Sequence, residues 1–297
     1  ADNLEKEVEF LSLKSGVREF DLSPDEKEIA FVLRGDVFVS SIEYGTTKRI
    51  TNTSEQERNV SFSPDGRSII YASERGGVWN IYQTSLKRKE DKSFVYAQGG
   101  FEEEQLTKGE VASFEPQYSP DGKEVAFLEN RTTIRVLNLK SKKSRTVLDG
   151  KYNYSYADGD QWFKWSPDSK WIVTKYIGVG GWNNIDVALV KADGSGELTN
   201  LTESGYSDGA PRFTQDGKAM LWISDRSGYR NHGSWGAQTD AYLMFFDQEA
   251  YDDFNKTKEE QEEFALLDKK EKKEKEKSEE KADDKKEKEK KKEKVKP

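Results

Sequence analysis

The chain has a single histidine, His232, two residues before Ser234 and seven after Asp225. Base, hydroxyl and carboxylate are the components of a Ser-His-Asp relay, which needs partners held at defined positions, usually by separate elements. A nucleophile elbow, Gly-x-Ser-x-Gly, would need glycine where His232 stands. The cluster therefore reads first as a loop with structural hydrogen bonds, and no catalytic residue is assigned. A hydrolase acting through Asp225, Ser234 and His232 is the lesser reading. Gly178-Val179-Gly180-Gly181-Trp182 lacks the phosphate-binding pattern ahead of a helix and reads as a hairpin. Asp158-Gly159-Asp160 offers oxygens to calcium, but the twelve-residue loop with its final glutamate is missing. A polar turn is expected there, with no metal and no cofactor. Trp182, Trp235, Tyr152, Tyr154 and Tyr156 fall on predicted loops. Trp182, Arg226, Arg230, His232 and Trp235 make a candidate peptide-binding rim, because aromatic and arginine side chains anchor interfaces.

The elements that would position these residues are set by a repeat. Phe62-Ser63-Pro64-Asp65-Gly66 leads into Ile69-Ile70-Tyr71, and related turns centre on Asp25, Asp121, Asp168 and Asp216. Proline presets φ, aspartate bonds its own backbone and glycine accepts positive φ, so each turn joins two strands. Successive aspartates lie 40, 56, 47 and 48 residues apart. A strand-built period of that size predicts propeller blades. Regular recurrence assigns the five aspartates a structural role, not acid–base work.

Composition narrows the function classes. Hydrophobic residues are 33% and charged residues 35% of the 297. Residues 256–297 hold 17 Lys and 15 Asp or Glu, leaving a net charge of −10 on residues 1–255. An acidic body argues against a nucleic-acid groove. With no cysteine, disulfides and thiolate chemistry are excluded. No apolar run of 18 residues predicts a membrane span. The chain begins at Ala1 without a signal-peptide pattern, consistent with a processed protein or a piece of a longer one.

In order, residues 1–16 read as a lead-in strand and residues 17–247 as an all-β propeller of four-stranded antiparallel blades. The blades run about 17–51, 57–107, 114–150, 161–202 and 210–247, the last incomplete. Thr51, Thr107 and Thr202 each follow Ile or Leu at the close of a fourth strand. Leu86 to Glu104 is a long polar insertion in the second blade. Gln248 to Leu267 reads as helix, and residues 268–297 as a charged helical or disordered linker. At least five blades are visible in what reads as a larger ring, and an open ring is expected to self-associate.

The Ser-Pro-Asp-Gly turn resembles the repeat of TolB, of tricorn protease propellers and of prolyl-oligopeptidase relatives. Arg34-Gly35-Asp36-Val37-Phe38-Val39, Trp79-Asn80-Ile81-Tyr82, Ser224-Asp225-Arg226-Ser227-Gly228 and His232-Gly233-Ser234-Trp235-Gly236 are more specific. Together they resemble the second propeller of exported bacterial tricorn-like proteases. The resemblance implies a non-catalytic domain that gates and routes peptides or unfolded segments. It also implies neighbouring PDZ and serine-peptidase modules, a periplasmic or exported location, and a possible homo-oligomer. The alternative is a stand-alone TolB-like protein-binding propeller of the cell envelope.

Overall fold

The structure is a computed structural model, describing residues 16–17, 19–156, 161–178, 181, 183–230, 236–267 and 269–270. Within them, alternating side chains punctuated by tight turns form five antiparallel sheets. The first blade contains β1 (Phe20–Leu22), β2 (Glu28–Leu33), β3 (Asp36–Ser41) and β4 (Thr47–Arg49). The second contains β5 (Glu57–Phe62), β6 (Ser68–Ser73), β7 (Asn80–Leu86) and β8 (Phe101–Gln105). The third contains β9 (Ser113–Tyr118), β10 (Glu124–Glu129), β11 (Thr133–Asn138) and β12 (Ser144–Leu148). The fourth contains β13 (Phe163–Trp165), β14 (Trp171–Tyr176), β15 (Asp186–Lys191) and β16 (Leu198–Asn200). The fifth has three strands among the described residues: β17 (Asp208–Thr214), β18 (Ala219–Ser224) and β19 (Asp240–Phe245). This is the all-β, blade-built architecture that the repeat predicts.

The core lies between blades. Ala30, Val32 and Val39 of the first pack with Phe62, Ile69 and Tyr71 of the second. Ile70 and Ile81 meet Val125 and Phe127 of the third. Leu128 and Val136 meet Ile172 and Val190 of the fourth, and Val173 and Val187 meet Met220 and Trp222 of the fifth. The second strands of the first four blades are covered on both faces, which explains continuous apolar runs such as Ile29–Leu33. The first strand departs from expectation. Phe20 is 65% and Leu22 45% exposed, because these residues lie on the face turned away from the second blade.

The repeated turns share one hydrogen-bond plan. Ser63 Oγ donates to Asp65 Oδ1 at 2.6 Å, and that oxygen accepts the Arg67 N–H at 3.0 Å. Ser63 Oγ also accepts the Ser68 N–H at 2.9 Å. The same clasp joins Ser23 to Asp25, Ser119 to Asp121 and Ser166 to Asp168. The fourth turn residue needs positive φ, which Gly66 and Gly122 supply freely and Glu26 and Ser169 adopt at 57° and 61°. A Cβ on Gly66 would meet Pro24 at 3.5 Å, and one on Gly217 would meet Pro167 at 3.2 Å. Successive turns therefore stack, proline against glycine.

The closing threonines have a defined task. Thr51, Thr107 and Thr202 accept the N–H of Val37, Ile81 and Val187, at 2.9, 2.8 and 3.0 Å. Each hydroxyl lies against Asp36, Asn80 or Asp186 at the start of the third strand or immediately before its capped residue. The polar insertion is less polar in effect than in composition. Phe94 within it is fully buried beside Phe62 and Phe101. The buried Glu28 carboxylate accepts the N–H groups of Phe94 and Val95 at 3.0 and 2.8 Å, tying the insertion to the first blade.

The described residues from Phe245 onward belong to a second compact unit. The continuous helix expected over 248–267 is interrupted. α1 (Gln248–Asn255) is N-capped by Asp247, and helix resumes over residues 258–267. Thr257 and Glu260 form a capping box: the Glu260 carboxylate accepts the Thr257 N–H at 2.7 Å, and Thr257 Oγ1 accepts the Glu260 N–H at 3.3 Å. That local stop-and-start signal overrides the weak apolar periodicity.

Candidate functional site on the first strands

The first strand of each blade sits at the sheet edge where successive blades converge. Lys164 of β13 feels the charges of Asp21 on β1, Glu115 on β9 and Arg212 on β17. Counting back from the turn proline locates two rows of side chains. Five residues earlier stand Glu19, Asn59, Glu115 and Trp162, with Ala210 equivalent in the fifth blade, where Gln215 replaces proline. Three residues earlier stand Asp21, Ser61, Gln117, Lys164 and Arg212.

The first row is built on bulges. Asn59, Glu115 and Ala210 have φ of 57°, 49° and 47°, and the strand register shifts at each. Pro116 and Pro211 follow two of them, where no ladder donor is needed. A bulge releases a backbone N–H, and the preceding blade captures it. The Asn59 N–H donates to Glu19 Oε2, and the Glu115 N–H donates to Asn59 Oδ1 at 3.2 Å. Between blades four and five the direction reverses, and Trp162 Nε1 donates to the Pro211 carbonyl at 3.1 Å.

The second row changes sign around the blades. Asp21 Oδ2 accepts from Ser61 Oγ at 3.1 Å and from the Phe62 N–H at 2.8 Å. Gln117 donates to the Phe163 carbonyl at 3.3 Å and accepts from Lys164 Nζ at 3.3 Å. Lys164 and Arg212 both lie over the Trp162 indole, at 5.1 and 5.2 Å from its centroid. Burial, followed by the Arg212 charge, pulls the Lys164 ammonium below its ordinary value, against the weaker pull of Asp21 and Glu115. A separate cavity of about 590 Å3 opens between blades one and two, lined by Glu19, Arg34, Gln56, Glu57 and Arg58. Its Glu57 is fully buried and accepts from Thr53, Ser73 and Arg75. Desolvation raises its pKa.

The loop residues singled out from sequence fall into two sets. Trp182, His232, Ser234 and Trp235, with Asp158 and Asp160, lie outside the described residues. Arg226 meets Asp208 at 3.2 Å and stacks against Trp222 and Tyr242. Arg230 lies 3.5 Å from the buried Asp225 carboxylate, over the Tyr206 ring, and donates to Asn184. Arg226 thus serves the packing within the fifth blade, and Arg230 links that blade to Asn184 ahead of β15. The structure adds Trp162, Lys164, Arg212 and Gln117, which the loop-centred reading passed over. Their signal was available as a constant offset from each turn.

No family model matches the chain. Similarity to single proteins is clearer. The Tol-Pal system protein TolB of Francisella tularensis is 32% identical over 145 residues, 45% of this chain and 31% of that protein. Dipeptidyl-peptidase 5 of Porphyromonas gingivalis is 28% identical over 167 residues, 48% of this chain and 22% of the other. A TolB structure from Agrobacterium tumefaciens superposes with a TM-score of 0.54 at 18% identity, covering 77% of each chain. The fold is a TolB-like β-propeller. The tricorn protease structure superposes with a TM-score of 0.56 at 16% identity, over 78% of this chain and 22% of that one. The TolB-like propeller thus spans about a third or less of the curated relatives it matches. Among its described residues no helix is long and apolar enough to cross a membrane.

Proposed function

We propose that this TolB-like propeller is a non-catalytic domain of an exported tricorn-like serine peptidase, holding extended peptides and routing them to neighbouring modules. The observation that carries the reading is the wall of first strands. It presents carboxylate, amide, indole and cationic groups in register, a surface suited to a flexible chain bearing mixed side chains. The tricorn likeness supports this reading through fold, and Arg226, Arg230, Trp182, His232 and Trp235 remain candidates for the outer rim. The TolB similarity favours a second reading, a protein-binding module of the cell envelope, since it extends to 32% sequence identity.

Hydrogen exchange on the 297-residue chain, with and without unstructured peptides of ten to fifteen residues, tests the choice. Peptide routing predicts protection at β5, β9, β13 and β17. Absence of protection with every peptide, alongside binding of a folded envelope protein, would favour the second reading.

A further inference from the structure

Lys164 and Arg212 differ from the paired arginines of the propeller. Arg49, Arg75, Arg135, Arg145 and Arg226 each meet a carboxylate within 3.4 Å. Neither Lys164 nor Arg212 forms an ion pair with a described carboxylate. Their contacts are the Trp162 indole and, for Lys164, the neutral Gln117 amide. They occupy equivalent positions on adjacent first strands, and their charges repel. The carboxylate at the equivalent position of the first blade, Asp21, binds Ser61 and the Phe62 N–H through one oxygen and acts on Lys164 only as a weaker, unpaired charge, as Glu115 does. Two like charges gathered at one ring, in a body of net charge −10, form a local positive field suited to a negative group from outside.

We propose that Trp162, Lys164 and Arg212 form a subsite for acidic side chains of a bound peptide. The proposal rests on the peptide-holding reading and narrows it to acidic segments. Arg212 is exposed, and its planar fork is suited to receive a carboxylate through two parallel hydrogen bonds. Lys164 offers a point charge, and the indole gives the methylene groups of a glutamate an apolar surface. A carboxylate bound here would favour the charged form of Lys164 and oppose the lowering of its pKa, so binding is coupled to proton uptake at alkaline pH.

Fluorescence anisotropy on the full chain decides the matter with three labelled peptides, all otherwise uncharged. One carries glutamates and an amidated C-terminus, one carries glutamines at the same positions with the amide, and one is the glutamine peptide with a free C-terminus. The expected result is at least tenfold tighter binding of the amidated glutamate peptide than of its glutamine counterpart. Lys164→Met with Arg212→Gln should reduce that ratio to near one. Lys164→Glu with Arg212→Glu should invert the preference toward a lysine peptide, and circular dichroism confirms folding of both variants. Equal binding of the two amidated peptides overturns the subsite while leaving peptide binding intact. A preference that appears only with the free terminus overturns it too, and binding of no peptide overturns both readings.

Discussion

At the residue scale, the Ser-Pro-Asp turn turns a short polar triplet into a fixed corner. The Oδ1 of Asp121 accepts from a hydroxyl and a backbone N–H and so holds the corner together. Asp121→Ala should therefore lower stability by about 1 kcal/mol, the typical worth of such a bond, visible as a shift in urea midpoint. A different pH signature belongs to Glu28. Burial raises its pKa above the ordinary 4.5, with the Val95 and Phe94 N–H groups opposing. The native state thus holds this proton to higher pH than the unfolded chain does. Its contribution is complete below pH 4.5 and is lost as pH rises through the raised value. Glu57 acts with the same sign. Urea unfolding at stepped pH should show Glu28→Gln losing less stability than wild type over that interval.

At the element scale, the strands were legible because they obey two rules at once, alternation and turn chemistry. The turns of blades one to four carry the full Ser-Pro-Asp signal, and the strands fall where it puts them. Legibility failed where a single residue outweighed its surroundings. The insertion after Leu86 reads as polar, yet Phe94 buries its whole ring and anchors the loop. Phe94→Ala should cost about 3–5 kcal/mol through the cavity it leaves. It should also speed trypsin cleavage at the already exposed Arg88 and Lys89 by loosening the backbone there, so limited proteolysis separates loop release from global unfolding. Uniform resistance in a folded variant would contradict the anchoring role. The charged helix failed in another way. Its break at Lys256–Thr257 depends on a capping box visible in sequence as Thr-x-x-Glu, but hidden within a run of charges. The offset from each turn marks Lys164 and Arg212 as equivalent, but their meeting at Trp162 needed three-dimensional convergence. Nothing in periodicity says that residues 48 positions apart share one indole.

At the scale of the whole molecule, each interior blade buries both faces, whereas the two terminal ones do not. Phe20 and Leu22 are exposed on the first, and Leu221 and Ile223, each 41% exposed, on the fifth. Apolar faces of blade geometry invite a similar face. Leu221→Lys with Ile223→Lys should reduce self-association of the 297-residue chain, measured as mass by light scattering across a dilution series. An unchanged mass at every concentration would remove that face from consideration.

The capture of a bulge N–H by the blade before it has a temporal consequence. Glu19 is synthesised 40 residues ahead of the Asn59 amide it accepts, and Asn59 is synthesised 56 ahead of Glu115. In these two pairs the acceptor leaves the ribosome before its donor, so the hairpins of blades two and three find a docking edge already made. Contacts reach to the adjacent blade and seldom farther, keeping the loop-closure cost of each addition small for an all-β chain. Growth of the propeller can thus be vectorial, blade upon blade in the order of translation, with the emerging strand templated by the last one laid down.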